Sequence, residues 1–446
     1  MTNRLVSTRV LLVLCAIAAS ATLAAGQAGS GTGAAPQFRV IRYMNEYVQP
    51  GGMAEGSPGV FYSSAGSGYQ AALSLTTQGA MTILAKFPLD YSIAGPLVSA
   101  ADGRFYSAVY LHLNPASVFS VASAPGSKQL YPPQSLFPVP VQNLADGTLL
   151  ATATSASSAF YLAKCDLRGT VTPIYAFPST ERLTNPAISA SDGNYYGVSY
   201  VQDASGYVYR ISPSGSLTKV CSFPIQTFVG NPGWAPLLQA SDGNLYGATP
   251  NGGANGTGTI YKLTLGGQYT LLYSFPAGSD YNPAALIEGS DGNLYGATLG
   301  DANASLLFRV TKSGHHTLVH KMNPYTDGQC QCQLTQGSDG IIYGSALAGG
   351  VTGAGTYFAL DVGLPKPSPR ARQFHPKSGA VGTQVRIWGN DLLSVAVHFN
   401  GVTATAVSNS GPNYVWATVP TGATTGPITV TTPGGTYTTH ASFMVP

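Results

Sequence analysis

Charge is what this 446-residue chain has least of. Only 9% of its residues are Asp, Glu, Lys or Arg, where soluble domains carry about 25%. The 21 basic and 18 acidic side chains leave a net charge of +3. That is too little to hold a phosphate backbone or an anionic membrane surface, so nucleic acid is not an expected partner. Cysteine is scarce as well. Outside the N-terminal apolar run there are Cys165, Cys221, Cys330 and Cys332, too scattered for a zinc site. Their even number permits disulfides in an oxidising compartment without saying which pairs form. We read them as buried or bridged structural residues. The glycine-rich stretch 251–259 joins two strands and opens no helix, so it is no phosphate loop. No Ser/His/Asp set has catalytic spacing. These absences leave no catalytic, metal or cofactor set to name.

The N-terminus has the three parts of a secretory signal: Arg4 and Arg9, an apolar core from Val10 to Ala19, then small residues up to Ala28. The core is short for a membrane span. Residues 1–28 are therefore expected to be removed, leaving a secreted or surface-associated chain with no span of its own.

What the chain has in abundance is glycine (54), proline (31) and tyrosine (26), the makings of a turn-rich β protein. One phrase recurs: SDGNYYG at 191, SDGNLYG at 241 and 290, SDGIIYG at 338, with weaker copies ADGRFYS at 101, ADGTLLA at 145 and SPGVFYS at 57. Indexed on the Asp (Pro58 in the first), the copies start at 58, 102, 146, 192, 242, 291 and 339, in steps of 44, 44, 46, 50, 49 and 48 residues. A strand-rich repeat of this length reads as a propeller blade. Around Asp242 the pieces APLLQAS, NLYGATP, GTIYKLT and QYTLLYSFP are four short strands bounded by turn residues. We order them from the innermost strand outwards.

The DG pair makes the turn between the first two strands, Gly taking positive φ and Asp bonding the backbone two residues on. Asp102, Asp146, Asp192, Asp242, Asp291 and Asp339 are thus turn residues. Four residues later stand Tyr62, Tyr106, Leu150, Tyr196, Tyr246, Tyr295 and Tyr343, each followed by Ser, Ala or Gly. A ring beside a small residue lets neighbouring blades interdigitate. The seventh copy lacks an outer strand, while residues 38–44 form an orphan strand before the first. Pairing the two removes two exposed edges. The expectation is an all-β, seven-bladed β-propeller over 36–362, closed by the N-terminal strand.

The run LLQASDGNLYGATPNGGANGTGTIYKLTLGGQYTLLYSFP resembles the bacterial Gloeo/Verruco (GloVer) tandem repeat, with its SDGNLYG phrase, GG-rich loop and YSF ending. The resemblance covers about 300 residues and implies an extracellular or surface repeat protein without catalytic residues. After a linker at 363–372, residues 373–446 resemble the IPT/TIG domain through Pro376, Gly379, Gly382-Thr383, Phe399, Val419-Pro420, Gly426 and Phe443. That implies an Ig-like β-sandwich acting as a spacer or adhesion module, and the short alternating strands agree.

Variation is concentrated in the loops from each outer strand to the next inner strand: 87–96, 177–186, 223–236, 275–283 and 322–330. They bring Tyr91, Trp234, Tyr281 and Tyr325 to one rim with Glu181, Arg182, Asp280 and Asp327. Aromatic faces beside charged groups suit sugars or extended peptides. The expected partner is an extracellular polysaccharide or surface protein, bound without catalysis. A hydrolase or lyase using Asp90, Glu181, Asp280 or Asp327 as a carboxylate pair, or a purely structural envelope protein, are the alternatives. His315, His316 and His320 read as surface histidines on an outer edge strand. A polar set three residues before each DG aspartate (Ser99, Asn143, Ser189, Gln239, Glu288, Gln336) is expected to face water at the channel mouth.

Overall fold

The computed structural model describes residues 35–446 apart from 46–47, 68–69, 89, 101, 112–113, 132–134, 145, 156, 184, 202–205, 224–235, 278–281, 300–303, 330–332 and 410–411. The expected signal segment, Trp234, Asp280, Tyr281, Cys330 and Cys332 lie outside the described residues. Among those residues every regular element is a strand, and no helix is long and apolar enough to cross a membrane.

Each repeat phrase starts a sheet. In the copy around Asp242, strands Leu238–Gln239, Leu245–Thr249, Thr259–Leu263 and Tyr269–Ser274 pair antiparallel in that order. The copies before and after it build antiparallel sheets of the same four-stranded kind, except that in the fourth both Glu181–Leu183 and Ile188–Ser189 pair with Tyr195–Val201. We number them I to VII in chain order, so this one is sheet V. Strand Gln37–Tyr43 pairs antiparallel with Thr356–Asp361, running from Gln37↔Asp361 to Tyr43↔Thr356. It thereby supplies the outer strand of sheet VII.

The turn chemistry is local and repeats. Gly243 sits at φ 80°, and its N–H donates to Ala240 O at 2.9 Å. Asp242 Oδ1 accepts Asn244 N–H at 3.1 Å, and its Oδ2 accepts Asn244 Nδ2 at 2.9 Å and the Tyr246 hydroxyl at 2.8 Å. Burial raises the Asp242 pKa, but the bonds from Asn244 and Tyr246 outweigh it and hold the group at about 2. The tyrosine hydroxyl donates to the turn aspartate in the same way at Tyr106, Tyr196, Tyr295 and Tyr343. The ring itself is buried against the next sheet: Tyr246 packs with Leu286, Leu294 and Phe308. The aspartate therefore anchors the inter-sheet tyrosine as well as the turn.

The small residue after each tyrosine has a different partner from the one its spacing implies. Gly197, Gly247, Gly296 and Gly344 lie opposite Tyr209, Tyr261, Phe308 and Phe358 on the third strand of their own sheets. A Cβ on Gly247 would lie 2.4 Å from the Tyr261 hydroxyl oxygen. The space serves a cross-strand ring within one sheet, and the neighbouring sheet packs over the result. Register shifts at Val208/Tyr209, Ile260/Tyr261 and Leu307/Phe308 add local twist where these rings stand.

Residues 370–443 form two further four-stranded sheets. One runs Arg370–His375, Gln384–Asn390, Tyr414–Thr418, Val407–Asn409; the other runs Val402–Thr403, Ala396–Phe399, Gly426–Thr432, Gly435–Phe443. Inward residues from both, among them Phe374, Ile387, Phe399, Val430 and Phe443, share one buried core. The Phe399 and Phe443 rings meet edge-on at 5.2 Å.

Candidate functional site

The loop face named by the sequence is built largely for packing in its described part. Glu181 is buried and accepts a short hydrogen bond from the Tyr207 hydroxyl. Asp327 Oδ2 accepts Asn323 N–H at 2.9 Å and meets His320 Nε2 at 3.1 Å, while Oδ1 accepts the Thr326 hydroxyl at 2.9 Å. Its carboxylate thus closes its own loop. Tyr91 packs beside Phe87 at 6.2 Å in the core between sheets I and II. Arg182 lies on strand Glu181–Leu183. Tyr325 is open, at 79% exposure.

His315 is exposed, as expected, but His316 and His320 on the outer strand are half-buried between rings of the neighbouring sheets. His316 stacks on Tyr273 of sheet V at 4.2 Å, with the Phe275 and Phe308 rings at 5.8 and 5.5 Å. Burial lowers its pKa to about 4, aided by neighbouring His315. His320 stacks on Phe38 of the N-terminal strand at 4.0 Å. Outer strands of adjacent sheets lean together here, which a single strand read alone does not reveal. Cys165 and Cys221 are free thiols, Cys165 buried, with burial pushing its thiol up to about 12.

The polar set near the turns is a system of latches. Gln239 Oε1 accepts Ser191 N–H at 2.8 Å, Glu288 Oε2 accepts Ser241 N–H at 2.7 Å, and Gln336 Oε1 accepts Ser290 N–H at 2.9 Å. Each side chain reaches from one sheet to the turn of the sheet before it. Glu55 holds the equivalent place in the first copy and accepts Ser338 N–H at 2.7 Å. These groups answer turn N–H donors instead of facing water. Only strand pairing across two repeats makes the pattern visible, although the recurring Gln/Glu three residues before DG was its signal.

Where the set shrinks to Ser99, Asn143 and Ser189, the C-terminal unit takes over. Asn413 Nδ2 donates to Ser99 Oγ at 3.0 Å, and the Tyr414 hydroxyl donates to Asn143 Oδ1 at 2.7 Å. Two cavities of about 250 and 490 Å³ open along this junction, sharing Leu144, Ser189 and Trp388 as walls. Arg372 and Asn413 line the smaller. Tyr195, Arg386 and the Lys164–Asp146 pair, 2.6 Å apart, line the larger. Both face the turns, on the side away from the loops named by the sequence. Neither Arg372 nor Arg386 belongs to an ion pair among the described residues, and no cluster of metal-ligating side chains occurs among them.

Residues 139–358 match the Gloeobacter/Verrucomicrobia repeat, so the middle and later copies carry that repeat. No curated protein matches the chain. Among solved structures, a streptogramin B lyase shares 17% identity at TM-score 0.53, over 74% of this chain and 98% of its own. A catalytically inactive virginiamycin B lyase from Staphylococcus aureus, with quinupristin, shares 14% at TM-score 0.53, over 73% and 99%. A fungal alcohol oxidase of the AA5 family, in complex with copper, shares 12% at TM-score 0.50, over 93% and 100%. At these identities the likeness shows the fold alone, an all-β, propeller-like arrangement of antiparallel sheets.

Proposed function

We propose that the chain is an exported, non-enzymatic binding protein: a seven-bladed propeller closed by its N-terminal strand, carrying an Ig-like sandwich of the IPT/TIG kind. It holds a carbohydrate or protein ligand on the face of the outer-to-inner loops. The order of the sheets, the pairing of Gln37–Tyr43 with Thr356–Asp361 and the shared core of residues 370–443 support the architecture. The observation that carries the functional reading is how that loop face uses its side chains. Of its described carboxylates, Glu181 and Asp327 are spent on internal bonds and Asp90 is exposed, while the Tyr325 ring stands free. Such a face has contact area for a ligand, and among its described acids only Asp90 stays exposed, without the second free carboxylate that a hydrolytic pair needs.

The test is a glycan array and a pull-down from surface extracts with the exported chain, repeated with Tyr325→Ala and Trp234→Ala. Binding weakened at least tenfold by either change supports the loop face. Binding indifferent to both changes, or none at all, rejects it.

A further inference from the structure

The junction between the turns and the C-terminal unit has a chemistry of its own. Trp388 Nε1 and Arg386 Nε are buried donors without a partner, although buried N–H groups in folded proteins are nearly always paired. Neither can be relieved by reassigning an amide, since indole and guanidinium nitrogens only donate. Trp388 stands in the walls of both cavities, with Arg386 stacked 4.9 Å from its ring. Arg386 lines the larger cavity and Arg372 the smaller, with the Asp391 carboxylate near Arg372. Three of the acceptors nearby are already taken. Asn143 Oδ1 receives Tyr414, Gln142 Oε1 receives Ser189 N–H at 2.8 Å, and Asp146 receives Lys164. The cleft thus offers donors and positive charge, with these three acceptors already engaged.

We propose that this cleft binds an oxyanion carried on a polyhydroxy chain: the carboxylate or sulfate of an acidic saccharide. Guanidinium groups pair with carboxylate and sulfate through charge-assisted hydrogen bonds, the strongest of their kind. The Trp388 and Tyr195 rings give apolar walls for a sugar ring, and the Lys164–Asp146 pair faces its hydroxyls from the larger cavity. The larger cavity, about 490 Å³, is of the size ligand sites usually have. The site is separate from the loop face proposed above and stands or falls independently of it.

Titration of the full chain by calorimetry and tryptophan fluorescence, with oligogalacturonate, a neutral glucose oligomer of equal length and inorganic sulfate, tests the assignment. The acidic oligomer should bind at least tenfold more tightly than the neutral one and than sulfate. Arg386→Gln and Arg372→Gln should each weaken it about tenfold, and Trp388→Phe, which keeps a ring and deletes the N–H, several-fold. Raising salt from 50 to 500 mM should weaken binding to the unaltered chain, a readout that needs no variant. Equal binding of acidic and neutral oligomers, sulfate binding as tightly as the oligomer, salt-independent binding, indifference to both arginine changes, or no binding would each overturn the proposal.

Discussion

Glu55, three residues before the first turn, holds Ser338, the residue before the last. Its Oε2 accepts the Ser338 N–H at 2.7 Å and its Oε1 accepts the Ser338 hydroxyl at 2.9 Å. The contact spans 283 residues and joins sheet I to sheet VII, where the chain closes on itself beside the N-terminal strand.

Removing that latch should destabilise the closure. Glu55→Ala leaves the Ser338 donors unmet and should cost about 1–3 kcal/mol in urea unfolding. Glu55→Gln should cost less than half as much, because Gln239 and Gln336 make the same bond elsewhere. Burial, the largest influence on the Glu55 carboxyl, raises its pKa above 4.5 despite bonds from Gly59 and Ser338. A raised acid holds its proton more tightly folded than unfolded. Its contribution is therefore full below about 4.5 and declines as pH rises through the folded value. Glu55→Gln should remove that decline.

Gly247 should tolerate no side chain, and for steric reasons. Its φ is not in the left-handed region, but a Cβ would overlap the Tyr261 ring, which is buried at 2% exposure. Gly247→Ala should cost about 1–3 kcal/mol. The double change Gly247→Ala with Tyr261→Leu should recover part of it. Equal losses in single and double variants would remove the cross-strand account.

His316 should destabilise the chain in acid. Its folded pKa lies near 4 against an ordinary 6.5, so the unfolded state binds the proton first. Stability present above 6.5 is lost as pH falls towards 4. Because the ring is part-exposed, the loss should be about 1–2 kcal/mol. Thermal melts at pH 7 and pH 4.5 should differ less in His316→Phe, which keeps the stack on Tyr273. An NMR titration with a midpoint near 6.5 would contradict the assignment.

The seat of the C-terminal unit rests on few polar contacts. Tyr414→Phe deletes the bonds to Asn143 and Leu144 O and should cost about 1 kcal/mol. Limited proteolysis between residues 363 and 369 should accelerate several-fold while the melting of residues 370–443 is unchanged.

Much of the scaffold was legible because its causes are local. The DG turn needs a glycine at positive φ and an aspartate two residues before the amide it caps; the glycine is written in all seven phrases and the aspartate in six, with Pro58 in its place in the first. The cores follow from alternation along short strands. The candidate sites were less legible. Glu181 and Asp327 read as free acids because nothing in their loops announces Tyr207 or His320 as partners. His316 and His320 read as surface groups because an edge strand does not say how far the next sheet leans over it.

From sequence alone follow the all-β class, the repeat with its turns and buried tyrosines, and the matched repeat at 139–358. These depend on φ preferences and on a period of two, which act within a few residues. Tertiary structure alone decided that Glu55 meets Ser338, that Gly247 makes room for Tyr261 and not for the neighbouring sheet, and that Asn143, Arg372 and Trp388 wall one cleft. Those contacts depend on the rotation from one sheet to the next and on where the last strands come to rest. Neither is encoded in any single stretch of chain.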